Sequence, residues 1–185
     1  MTNIKAFIFF LLLVSSIQAQ ENTWIIDSSK SFITYSGKHT LHEWEGSNQK
    51  LYGRALLNNT SLVFNKLAIL AYVRDFDSEN SGRDAHSLEV LEALRFPEIK
   101  FYSESFELLK DSLLIKGVFE FHGKKLNKQI MSSVIFGENN IILNGKFNLI
   151  PSDFGISLPA FMLIKMKDLL EIQYSIFLTK ESGSY

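Results

Sequence analysis

The side chains able to do chemistry in this sequence are few and scattered. Its four histidines, His39, His42, His86 and His122, are the only residues that suggest transition-metal chemistry. His39 and His42 stand three apart in a strand-like stretch, so they face opposite sides and do not converge on one ion. His86 and Glu89 are three apart at helical spacing and share a face, the arrangement of a solvated pair. No metal site is expected. Gly-x-Ser-x-Gly elbows, His-Glu-x-x-His motifs and phosphate-cradling glycine loops do not occur. Arg83-Asp84 reads as a helix start with a carboxylate in the first turn, and Ser152-Asp153-Phe154-Gly155 as a turn that buries its Phe. Asp84, His86 or Asp153 is the group with which a hydrolase or isomerase of an apolar substrate would move a proton, which defines the enzymatic alternative.

The composition narrows the field further. With 19 Lys+Arg against 20 Asp+Glu, the chain has no positive field for a phosphate backbone, so nucleic acid is not an expected partner. It contains no Cys, which excludes disulfides, thiolate metal sites, iron–sulfur clusters and cysteine nucleophiles together. No cofactor is expected. A length of 185 residues suits one domain, and 16 Phe give it much apolar surface to bury.

Lys5 is the only charge before Glu21, and Ala6 to Val14 is an unbroken apolar run followed by Ser15-Ser16-Ile17-Gln18-Ala19. That order predicts a signal peptide over residues 1–19, because the run is about half the roughly twenty residues that a membrane span needs. The domain then covers residues 20–185, in the periplasm or secreted.

From Trp24 onward the spacing is mainly period two, which sends alternate side chains to opposite faces of a sheet. Leu113, Ile115, Phe119 and Phe121 alternate with Lys116 and Glu120. Leu143, Phe147 and Leu149 alternate with Asn144, Lys146 and Asn148. Leu170, Ile172, Tyr174, Ile176 and Leu178 oppose Glu171, Gln173, Ser175 and Thr179. A fourth strand places Leu126, Ile130, Val134 and Phe136 on one parity, with Lys128 and Ser132 as interruptions. Less regular runs cover residues 32–41, 50–57, 67–73 and 99–108.

Short connectors, Asn58-Asn59-Thr60, Lys110-Asp111, His122 to Lys125 and Gly137 to Asn140, predict hairpins. The expectation is an all-β fold: an eight-stranded antiparallel meander closed into a barrel, which leaves no free edge. One short helix interrupts it between Asp77 and Pro97, with Ala85, Leu88, Leu91 and Leu94 on its apolar face. A membrane-spanning barrel would need an apolar outer band, and Lys116, Glu120, Lys128, Lys146 and Glu171 make that face wet.

Several markers occur in one order: Trp24-Ile25-Ile26-Asp27 with Ser31, Asp77-Ser78 before Gly82-Arg83-Asp84-Ala85-His86, and Phe96-Pro97-Glu98-Ile99-Lys100-Phe101. The Gly117 to Gly123 segment and Ser152-Asp153-Phe154-Gly155-Ile156 follow. In this the chain resembles the YceI-like family, secreted bacterial proteins of lipocalin-like barrel fold associated with binding polyisoprenoids or other lipids. It differs at Lys124-Lys125, where the family often has a Thr-Lys-type turn, and at Ile150-Pro151, where many members are polar or basic. The resemblance implies an apolar tunnel inside the barrel, a long-chain polyisoprenoid-type lipid as partner, and no catalysis. On one parity of each strand, the candidate lining is Phe101, Ile115, Phe119, Ile130, Val134, Leu143, Phe147, Ile172, Tyr174 and Ile176.

Overall fold

The computed structural model describes residues 21–38, 43–58, 63–158, 160–161 and 164–181. The expected signal peptide, His39, His42 and the Asn59-Thr60 turn lie outside them. Strands β1 (Glu21–Ile26), β2 (Phe32–Lys38), β3 (Glu43–Asn48), β4 (Leu51–Asn58) and β5 (Phe64–Tyr72) lead to helix α1 (Ser81–Val90). Then come β6 (Glu98–Leu109), β7 (Ser112–Phe121), β8 (Lys124–Phe136) and β9 (Asn140–Leu149). The small pair β10 (Ala160–Phe161) and β11 (Ile164–Lys165) precedes β12 (Leu170–Lys180).

All strand pairings are antiparallel; β4 to β9 pair in chain order, β12 follows β9, and β12 also pairs with β1, so the meander closes into the expected barrel. The first two barrel strands are each broken. β1 and β2 lie end to end along β12, with Ile26 opposite Leu178 and Phe32 opposite Ser175. β4 and β3 lie against them in turn. Counting each broken pair as one gives the closed eight-stranded barrel. At the first break, the buried Ser31 stands in for the missing ladder partner, its hydroxyl accepting from the Phe177 N–H at 2.9 Å and donating to the Asp27 carbonyl at 2.8 Å.

β3 was not among the expected strands. Its sequence, EWEGSN, is poor in β-formers, and pairing with β2 supplies what propensity does not. The β7–β8 hairpin turns on His122-Gly123 alone, with φ of 49° and 72°. Two successive left-handed residues match the twist of the flanking strands.

The barrel interior divides into two halves. At the end holding the β6–β7 and β8–β9 turns it is solid, with Trp24, Leu57, Ile141 and Leu178 buried and Phe64 packed on Phe106 at 5.5 Å and Phe136 at 6.4 Å. The other end is covered by α1. That helix is capped by Asn80, whose side chain accepts from the Arg83 N–H at 2.9 Å. Asp84 instead ties down the incoming chain, accepting from the Ser78 N–H at 3.1 Å and its hydroxyl at 2.6 Å. Paired backbone bonds between Ser47 and Asp77, 2.8 and 2.9 Å, fasten this chain to β3.

The helix ends sooner than spacing predicts. Glu92 adopts φ of 44°, and the Ala93→Leu88 and Glu92→Glu89 bonds close a Schellman motif after Val90. Leu94, expected on the buried face, is therefore fully exposed. Removing the cap by Asn80→Ala weakens the first turn of α1 by about 1 kcal/mol, or about fivefold faster amide exchange at Arg83 and Asp84. Hydrogen-exchange mass spectrometry of the segment checks this; unchanged exchange would show that tertiary contacts hold the turn.

Candidate ligand-binding site

The half of the barrel beneath α1 is hollow. A cavity of about 290 Å³ runs from the level of Leu143 and Ile176 out to the solvent-exposed His86 and Leu88 on α1. Its wall is built by the strand parity that faces inward, because the opposite parity carries the charged residues. Phe119 is the centre of an aromatic cluster, packing edge-on against Phe121, Phe147 and Phe154 at 6.4, 5.9 and 5.7 Å. Phe147 in turn meets Tyr174 at 6.3 Å.

Phe154 enters this cluster from a short 3-10 turn, Pro151–Phe154, that ends in a left-handed Gly155. His122 holds the turn, its ring Nδ1 lying 3.1 Å from the Phe154 carbonyl. Ser152 ties it to Asp168 through its N–H at 3.0 Å and through its hydroxyl. The Ser-Asp-Phe-Gly stretch is thus a turn that buries its Phe, as its residue types predict, while Asp153 faces water.

Of the ten candidate lining residues, Phe101, Ile115, Phe119, Ile130, Leu143, Phe147, Ile172, Tyr174 and Ile176 line the cavity. Val134 does not. It is buried further along β8, opposite Leu143 and toward the solid end, where strand parity alone could not separate filled from hollow barrel. Sequence reasoning missed Ile33 and Tyr35 on β2, Leu67, Ile69 and Ala71 on β5, and Leu158 and Met166 beyond the 3-10 turn. The β5 run Leu67-Ala68-Ile69-Leu70-Ala71 is apolar on both parities and carries no signal of face. Ser132, read as an interruption, is completely buried and hydrogen-bonded to the Tyr174 hydroxyl.

Of the three groups named as alternative proton carriers, Asp84 and His86 border the cavity at its mouth and Asp153 does not. Asp84 is engaged by Ser78, His86 stands in solvent 3.8 Å from Glu89, and Asp153 is exposed on the 3-10 turn. No hydrogen bond or ion pair joins any two of these three side chains. Among the described residues, no three His, Cys, Asp or Glu gather as metal ligands, and no helix is long and apolar enough to cross a membrane.

The order of the sequence markers and this one-sided hollow barrel coincide with a known domain. A model of the YceI-like domain matches residues 24–178. The chain belongs to the YceI-like family. Solved structures share the YceI-like fold at low identity. BcnA of Burkholderia cenocepacia aligns with a TM-score of 0.73 and 15% identity, over 82% of this chain and 98% of that one. A polyisoprenoid binding domain from Saccharophagus degradans, implicated in plant cell wall breakdown, aligns with a TM-score of 0.69 and 10% identity, over 85% and 98%. A Campylobacter jejuni YceI protein follows with 0.63 and 17%, over 75% and 85%. No curated protein sequence matches the chain.

Two phenols report on the YceI-like lumen. Burial pushes Tyr174 above the ordinary tyrosine range, its bond with Ser132 offsetting part of the shift. Tyr35, at the mouth beside Phe76, is raised by burial and then by the Asp84 charge, against smaller opposing effects of Ser87 and Arg83. Raised folded values mean that the stability these groups confer is intact below about pH 10 and lost as pH climbs through their folded pKa. Tyrosinate absorbance should therefore show Tyr35 and Tyr174 ionising later than free tyrosine. Tyr174→Phe should remove one late titration; loss of an ordinary one instead would place the phenol in contact with water.

Proposed function

We propose that this protein is a non-enzymatic carrier that holds the end of a long apolar lipid, of polyisoprenoid type, inside its barrel. The observation that carries this reading is the apolar cavity of about 290 Å³, blind at one end and reaching solvent at the other. An apolar cavity of about 150 Å³ takes a six-carbon ring, so this one suits about a dozen carbons, or about two isoprene units. At about 0.8 kcal/mol per buried methylene, a dozen contribute about 10 kcal/mol gross. Immobilising the chain offsets several kcal/mol, which leaves micromolar to millimolar affinity from the lumen alone. The rest of a longer tail lies along Leu88, Leu158 and Met166 at the mouth.

Membership of the YceI-like family and the fold shared with a polyisoprenoid binding domain support this ligand class. With residues 1–19 serving for export, the carrier works in the periplasm or outside the cell, where a water-insoluble chain needs an escort. The test is native mass spectrometry of the purified protein, followed by organic extraction. A reproducible long-chain lipid bound one to one is the expected result. Recovery of lipid-free protein that takes up no prenyl alcohol when offered it would overturn the reading.

A further inference from the structure

Ser132 on β8, Gly145 on β9 and Tyr174 on β12 occupy one rung of the sheet, directly opposite one another across three adjacent strands. The Ser132 and Tyr174 side chains share the inward face. Gly145 is what lets the outer two meet. A Cβ there would come within 2.3 Å of the Tyr174 hydroxyl oxygen and 2.6 Å of its ring, so the phenol lies across the glycine and hydrogen-bonds Ser132. Ser132 is 0% exposed and Tyr174 8%, and the rungs on either side are hydrocarbon: Leu143 with Ile176, Phe147 with Ile172. Below the mouth, Tyr174 is the polar member of an otherwise apolar lining.

The pair has two O–H protons and one mutual hydrogen bond, and neither hydroxyl has a further partner among the described residues. Buried hydroxyls without a use for their proton are uncommon and call for an explanation. Ser132 does not reach the cavity, whereas Tyr174 lines it. The economical arrangement has Ser132 donating to the phenol oxygen, which leaves the phenol O–H to donate into the lumen. A hydroxyl that accepts one bond is a stronger donor in the next. Burial keeps this phenol protonated at neutral pH.

From this geometry we infer that Tyr174, held across Gly145 and backed by Ser132, is a specificity-determining anchor for an acceptor oxygen, of the carbonyl class, on the buried part of an otherwise apolar chain. The inference rests on the lumen being the binding site and adds to it. Chain length and width select for hydrocarbon; the hydroxyl pair distinguishes an oxygenated chain from a plain one. A plain chain leaves the phenol O–H donating to Ser132, whereas an oxygenated chain gains a buried hydrogen bond on top of its apolar contacts.

The test uses two probes of nearly equal length, dodecane and 2-dodecanone, competed against a fluorescent fatty reporter on the unaltered protein, Tyr174→Phe and Ser132→Ala. Tyr174→Phe should weaken the ketone about tenfold, the worth of one buried hydrogen bond, and leave dodecane unchanged. Ser132→Ala, which preserves the phenol O–H but removes the bond that strengthens it as a donor, should weaken the ketone less than Tyr174→Phe does and leave dodecane unchanged, which shows that the barrel tolerates loss of the pair. Equal effects of Tyr174→Phe on both probes, or no effect on the ketone, would overturn the anchor while leaving the lumen as a site for hydrocarbon. Failure of both probes to bind the unaltered protein would remove the lumen reading, and the anchor with it.

Discussion

Phe154→Ala should lower stability by about 3–5 kcal/mol, the range for removing a fully buried aromatic ring. Phe154 is 1% exposed and is clasped by Phe119 at 5.7 Å and Phe121 at 5.6 Å. It projects from a 3-10 turn rather than a strand, so no ladder bonds hold it in place once the ring is gone. The loss would join the lumen to the space vacated beneath residues 151–155, leaving little chance for neighbouring rings to collapse into the gap. Urea unfolding gives the measurement. Asp153→Ala, one residue away and exposed, is the control and should stay within about 0.5 kcal/mol of the parent. A Phe154→Ala cost as small as the control's would mean that the turn does not seal the barrel.

Phe147→Trp should weaken binding of a long-chain lipid about fiftyfold while leaving the fold intact. The indole carries three more ring atoms than the phenyl, and Phe147 already borders the cavity between Phe119 and Tyr174. Displacing about three methylenes at about 0.8 kcal/mol each removes about 2.4 kcal/mol from the guest. The added atoms enter open space rather than a packed core, so the overpacking penalty usual for small-to-large changes should be mild. Lipid content after extraction and reporter competition both measure the effect. A variant that retains its full complement of lipid would place the guest elsewhere on the molecule.

Most of the barrel could be read from the sequence because one face of each later strand is dry and the other wet. The alternation in β7, β8, β9 and β12 determines both strand and facing, and the short turns from β7 to β8 and from β8 to β9 make those neighbours antiparallel. Where that contrast fades, so does legibility. β3 holds glutamates and a glycine, and its place depends on hydrogen bonds to β2 rather than on its own composition. The end of α1 is decided by a left-handed Glu92, which spacing of leucines does not reveal. Val134 and Ile130 have the same parity and the same chemistry, yet only Ile130 borders the hollow, because packing across the whole barrel decides where space is left. Ser132 shows the opposite case. Its polar side chain on an inward parity was visible, but its meaning emerged only when β12 brought Tyr174 to the same rung.

The solid packing around Trp24, Phe64 and Leu178 makes the barrel a thimble rather than a pipe. A long-chain guest of the kind proposed would therefore thread in by its greasy tip and back out along the same path. No incoming molecule can push it from behind. A bulky head on such a guest would stay outside while its tail is sheathed.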